Sequence, residues 1–216
     1  MQVLSAVGLV AALTLTVFAE SQPPDAVARD LQARYDRITD FSADFVHAYR
    51  GGILKQQATE RGRMMVKKPG KMRWEYTAPE KKTFVSDGRK IYSYIPADKQ
   101  VIVSSIPSDD EATTAVLFLA GKGHLTRDFN VSYAESASAD LYALRLDPRR
   151  KQRDYDWLIV TVDRATLQIR GLIAADPQGR STFTFTNYRE NTGVADKVFE
   201  FKIPRGADVI YTDSAR

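Results

Sequence analysis

The chain has 216 residues, 44% hydrophobic and 27% charged, with a net charge of +4. That is enough for one hydrophobic core and too little charge to announce a nucleic-acid binder. It has no cysteine, which excludes disulfides, thiol nucleophiles and thiolate metal sites, and removes the residue that a lipid-modified mature end would need.

Val3 to Ala19, a run of 17 residues, carries no charge. It is short for a membrane span and fits the apolar region of an export signal. Val17 and Ala19 fall at −3 and −1 of a cleavage site before Glu20. The segment before the run has no Lys or Arg, and an uncleaved anchor is the alternative. The chain is therefore divided into a signal peptide, residues 1–19, and one domain, residues 20–216.

After Pro23-Pro24, Val27, Leu31, Tyr35 and Ile38 recur at helical spacing, predicting an amphipathic helix over Asp25–Thr39 capped by Asp25. Strand alternation follows in Phe41, Ala43 and Phe45, then a turn at Gly51-Gly52, then Met64 and Val66 up to Pro69-Gly70. Met72, Trp74 and Tyr76 alternate with Lys71, Arg73 and Glu75, the cleanest half-buried strand in the chain. Asp87-Gly88 predicts a two-residue hairpin with positive φ at both positions, joining Thr83–Ser86 to Arg89–Ile95. Val101 and Val103 continue the meander.

Ser108 and Glu111 form a capping box ahead of a helix over Ala112–Ala120, stopped by Gly121. Its sequence, ATTAVLFLA, is apolar nearly all round, which predicts cover on more than one side. Further strands are expected at Leu141–Leu146, Trp157–Val162, Ile169–Ala175, Thr182–Tyr188, Val198–Ile203 and Val209–Tyr211. Phe183 alternates with Phe185 on one, and Phe199, Phe201 and Ile203 on another. The reading is a mainly β (α+β) chain: about ten or eleven antiparallel strands in one curved, partly closed sheet, with two or three helices.

No catalytic constellation stands out. There is no nucleophile elbow and no phosphate-binding loop, and the only histidines, His47 and His124, lie apart in sequence. Asp109, Asp110 and Glu111 fit the acidic first turn of a helix. No cofactor and no metal are expected. The basic tracts Lys67–Arg73, Lys81-Lys82 and Arg149–Arg153 read either as solvated turns or as a docking surface for acidic partners or phospholipid headgroups. The aromatic strand faces read as core or, given the surplus apolar surface of the second helix, as the lining of a cavity with adaptable methionines.

The run MVKKPGKMRWEYTAPE, followed by VSDGRKIYSYIP, resembles the LolA family of periplasmic lipoprotein carriers. FSADF, the helix Ala112–Ala120 and FEFKIPRG also match. The resemblance implies an incomplete antiparallel β-barrel with an α-helical lid over an apolar cavity for lipoprotein acyl chains. It implies loading by an inner-membrane ABC-type release complex, transit through the periplasm as a monomer, and transfer to an outer-membrane lipoprotein receptor. The cavity residues expected on this basis and from the alternation are Phe41, Phe45, Met64, Met72, Trp74, Tyr76, Tyr92, Tyr94, Val116, Leu119, Phe183 and Phe185. Lys68 matches a position where better-known carriers have an Arg tied to lid closure; Lys keeps the charge without the planar fork. Other readings are a same-fold sensor or glycolipid carrier, a secreted lipid hydrolase, and a structural envelope protein that binds through sheet edges.

Overall fold

The computed structural model describes residues 22–51, 56–106, 119, 121, 123–152 and 155–212. Helix α1 spans Pro24–Asp36 and buries Val27, Ala28, Leu31 and Tyr35. Its N-cap position is Pro23, and Asp25 lies in the first turn rather than capping it. There its charge still suits the helix dipole. The helix stops short of Thr39 because Arg37 and Ile38 turn back onto the carbonyls of Arg34 and Tyr35.

The strands are β1 (Asp40–Gly51), β2 (Gln56–Lys67), β3 (Lys71–Ala78), β4 (Lys82–Asp87), β5 (Lys90–Ile95), β6 (Gln100–Ser105), β7 (Phe129–Tyr133), β8 (Leu141–Pro148), β9 (Trp157–Asp163), β10 (Ile169–Asp176), β11 (Gly179–Glu190) and β12 (Asp208–Thr212). A one-turn helix α2 (Leu125–Asp128) precedes β7, and a 3-10 turn covers Asp196–Phe199. The strands form one sheet in the order β12-β6-β5-β4-β3-β2-β1-β11-β10-β9-β8-β7. Every pairing is antiparallel except β12 on β6, which is parallel. The end strands β12 and β7 do not pair with each other, so the sheet is open.

Several expectations are corrected. There are twelve strands among the described residues, not ten or eleven, because β7 gave no clear signal in FNVSY. Val198–Ile203 is not a strand. Phe199 closes the 3-10 turn, and the segment after it has no ladder. Its alternating Phe199 and Phe201 cover the outer face of β3–β5 instead. In the β4–β5 hairpin the two residues between strands are Gly88 and Arg89, and only Gly88 has positive φ (+96°). Asp87 ends β4, and its carboxylate accepts the N–H groups of Arg89 and Lys90 at 2.7 and 2.8 Å. Gly52 and residues 108–118, including the capping box and most of the second expected helix, lie outside the described residues. Gly121 has φ +80°, as a helix-terminating glycine should.

Two apolar clusters sit on opposite faces of this sheet. The larger joins α1, Leu119, α2 and the inward residues of β1–β3 and β7–β11. The smaller, outward one comprises Val85, Val101, Val103 and Phe199, with Phe201 against Tyr92. It is held by the basic residues of the β2–β3 turn. Lys67 and Lys71 reach Asp196 at 2.7 and 3.2 Å, and Lys67 and Arg73 donate to the carbonyls of Val194 and Val198. Most of the Lys67–Arg73 tract is therefore spent on the chain's own C-terminal segment.

Asp40, 3% exposed, fixes the turn after β11. Its carboxylate accepts the N–H and hydroxyl of Thr192 and the N–H of Gly193. Burial pushes this carboxyl up, but those bonds and that from Val194 outweigh it and leave it below its usual value. Asp40→Ala should cost about 2–3 kcal/mol in urea melts at pH 7. Asp40 contributes stability only where it is ionised, so the difference from wild type should shrink as pH falls below 3.8. Gly62 faces inward beneath Phe45. A Cβ there would sit 2.1 Å from the Glu75 carbonyl oxygen and 2.7 Å from Cζ of Phe45. Gly62→Ala should therefore lower stability by about 1–3 kcal/mol in the same assay.

Candidate functional site

The pleat assigns each strand residue to one face, and cross-strand pairing extends that assignment over the sheet. Phe41 opposes Val66, which opposes Met72; the next rung holds Ala43, Met64 and Trp74; the next holds Phe45, Gly62 and Tyr76. On the other side of β1, Phe45 opposes Phe185 and His47 opposes Phe183. The inward row then continues through Leu172, Val160 and Leu144. The result is one continuous apolar face across strands far apart in sequence.

Aromatic rings dominate its middle. Phe45 lies 4.9 Å from Trp74 and 4.8 Å from Tyr76, and Trp74 lies 5.4 Å from Phe183. The indole Nε1 of Trp74 is buried without a hydrogen-bond partner among the described residues. Of the expected lining, Phe41, Phe45, Met64, Met72, Trp74, Leu119, Phe183 and Phe185 share this cluster, and Tyr76 packs at its margin. Tyr92 and Tyr94 do not. They oppose Val85 and Thr83, while Phe84 and Ser93 take the inward positions, and both rings pack against Phe201 on the outer face. Val116 lies outside the described residues. Sequence reasoning missed Val66, Leu144, Val160 and Leu172; the alternation of Leu158, Val160 and Val162 was the available signal.

One end of this face is latched. Lys68, in the β2–β3 turn, donates from Nζ to the carbonyl of Tyr35 and lies 4.3 Å from the centroid of its ring. The cation thus meets the last turn of α1, where the dipole favours it. The Tyr35 hydroxyl in turn donates to the carbonyl of Leu119, and Gly121 leaves room for the Lys68 stem: a Cβ there would sit 2.6 Å from its Cδ. Burial lowers the Lys68 pKa and raises that of Tyr35 well above its usual value. Lys68, Tyr35 and Leu119 therefore tie the β2–β3 turn, α1 and the segment between β6 and α2 into one contact.

The other end is polar. His47 stacks on Phe183 with centroids 4.2 Å apart, and its Nδ1 lies 3.2 Å from Glu60 Oε2 and its Nε2 3.3 Å from Ser181 Oγ. Lys82 donates to Glu60 Oε1 at 2.6 Å. The order Ser–His–Glu is that of a nucleophilic triad, but a triad also needs N–H donors for an oxyanion. Ser181 lies on β11 where it is paired on both sides, to Tyr49 and to Ala174. Its surrounding backbone donors are committed to the ladder. The cluster satisfies polar groups at the rim of the apolar face. His124, by contrast, caps α2: Nδ1 accepts from Arg127 N, and its own N–H donates to Asp128. Among the described residues no three His or carboxylate side chains converge on a metal position.

Burial pulls the His47 pKa below its ordinary 6.5, outweighing the opposite pull of Glu60. The folded state therefore prefers neutral imidazole, and this contribution is full above pH 6.5 and lost as pH falls through the folded pKa. The urea midpoint should fall on acidification from pH 6.5 to 5, and His47→Gln should flatten that slope.

The family model "Outer membrane lipoprotein carrier protein LolA" matches residues 36–202. An outer-membrane lipoprotein carrier protein of Chromohalobacter salexigens is 31% identical over 206 residues, covering 95% of this chain and 94% of its own. One from Pseudomonas putida W619 is 28% identical, covering 94% and 96%. In structure, an uncharacterized conserved protein of Thermus thermophilus aligns with a TM-score of 0.54 at 10% identity, over 87% of this chain and 98% of its own, and shares the fold. On the matched span of its sequence, this chain belongs to the LolA family of outer-membrane lipoprotein carriers.

Proposed function

We propose that the chain binds the acyl chains of lipoproteins released from the inner membrane on its concave apolar face and delivers them to an outer-membrane receptor. It works by binding rather than turnover. Residues 1–19 are its export signal and the periplasm its compartment. The observation that carries this reading is the continuous inward row from Met72 and Trp74 through Phe45 and Phe183 to Leu144, closed at one end by Lys68, Tyr35 and Leu119. Among the described residues no helix is long and apolar enough to cross a membrane.

Burying a methylene from water gains about 0.8 kcal/mol, so one long acyl chain gains on the order of 10 kcal/mol. Cargo in a membrane is already dry, and transfer to an apolar cavity has little driving force of its own. Loading then needs work from an ABC-type release complex, and delivery needs only an acceptor with a better site. Inside the carrier, the acyl chains replace contacts that α1 and Leu119 now make with the sheet. Opening therefore breaks the Lys68 and Tyr35 bonds, and the soft side chains of Met64 and Met72 adapt to the guest.

Trp74→Ala and Leu119→Glu should abolish lipoprotein release from spheroplasts while leaving the circular dichroism of a β protein. Release at wild-type level by either variant would contradict the assignment. Lys68→Met removes a bond that only the closed state makes. It should tighten binding of a fluorescent fatty acid about fivefold, the equivalent of about 1 kcal/mol; weaker binding would place Lys68 on the cargo instead.

A further inference from the structure

The outer face of the sheet carries a second site, unrelated to the concave face and independent of the acyl reading. A concavity of about 1450 Å³ lies where the ends of β1, β2, β9 and β11 meet the β10–β11 turn, with Tyr49, Arg50, Trp157, Asp176, Gln178 and Arg180 in its wall. Arg50 and Arg180 stand directly opposite one another on the β1–β11 ladder. Both are exposed, and neither guanidinium makes a hydrogen bond or ion pair among the described residues. Like charges on one rung are destabilising, so the pair costs stability unless an anion lies between them.

Among the described residues no carboxylate pairs with either guanidinium. Asp176 stands in the same wall, and its Oδ1 accepts the N–H groups of Gln178 and Gly179, both at 2.8 Å. The Arg180 guanidinium lies 5.1 Å from the Trp157 ring, which steadies it by cation–π attraction. Arg145 lies 4.6 Å from the same ring, but Asp147 holds it in a two-pronged pair, with Nε at 3.0 Å and Nη2 at 2.8 Å. The connection leading into Trp157 adds Arg149, Arg150 and Lys151, all exposed, whose side chains make no ion pair among the described residues.

We propose that this concavity binds a phosphate group, free or as the headgroup of an anionic phospholipid, between Arg50 and Arg180. Two guanidinium forks on one rung can converge on the oxygens of a single tetrahedral anion. An acidic peptide presents its carboxylates spaced along a chain and makes a poorer match to one rung.

The test uses purified wild-type protein, Arg50→Gln and Arg180→Gln in two arms. The first follows the Trp157 indole N–H signal by NMR during titration with inorganic phosphate. The second measures co-sedimentation with phosphatidylglycerol vesicles against phosphatidylcholine vesicles at two salt concentrations. The wild type should respond in at least one arm, in the vesicle arm only with phosphatidylglycerol, and each variant should bind at least tenfold more weakly there. Without ligand, each variant should melt about 2 °C higher, because the like-charge rung is relieved. A response in the first arm identifies phosphate itself as sufficient; one in the second alone identifies the lipid headgroup. Silence in both arms, equal binding to the two kinds of vesicle without a phosphate response, or binding that the variants retain would overturn the proposal.

Discussion

Everything in this molecule follows from the two-residue period of its strands. A strand offers each side chain only two directions, and antiparallel pairing forces neighbours to agree about which is which. Because Phe41, Val66 and Met72 share a rung, their neighbours two residues away must share the next. A curved sheet whose inward rungs are mostly apolar cannot leave that face to water. The protein meets the demand with parts that are not sheet: α1, α2 and Leu119. Among the described residues, polar bonds fasten those parts at three places: Lys68 and Tyr35 at the β2–β3 turn, Arg34 on Glu190 of β11, and the Leu125 N–H on Gln32 between the helices.

The same period explains what was legible beforehand. Met72, Trp74 and Tyr76 declared their face because charged residues fill every position between them. The inward parity of β1 and β11 was equally plain from Phe41, Phe45, Phe183 and Phe185. Tyr92 and Tyr94 look identical on paper, but a two-residue turn at Asp87-Gly88 or at Gly88-Arg89 leaves them on the same side, that of Thr83 and Val85. Pairing of β3 with β4 puts Phe84 beside Trp74 and Val85 beside Arg73, so the tyrosines go outward. Phe199 and Phe201 alternate like a strand but join no ladder; Phe199 is buried in the outer cluster, and Phe201 caps the outer tyrosines. Long-range electrostatics were invisible for another reason. Lys67 finds Asp196 more than a hundred residues away, and Glu60 serves both His47 and Lys82, pairings no local pattern encodes.

The two faces divide the labour. The concave side holds rings and methionines whose polar atoms are few, one of them the Trp74 indole, which has no partner among the described residues. The outer side is stitched by charge: Asp196 to two lysines, Arg145 to Asp147, Arg170 to Asp163. Exposed pairs of this kind contribute little stability individually. The pair of lysines on Asp196 fixes the C-terminal segment over the small outer core, and β12 lies along β6 as the edge strand at that end of the open sheet.

The latch has a mechanical corollary. Tyr35 serves two partners at once, giving its hydroxyl proton to the carbonyl of Leu119 and its own carbonyl to the ammonium of Lys68. Displacing the last turn of α1 breaks both bonds in one movement, so the fastening has a single hinge pin rather than two independent clasps.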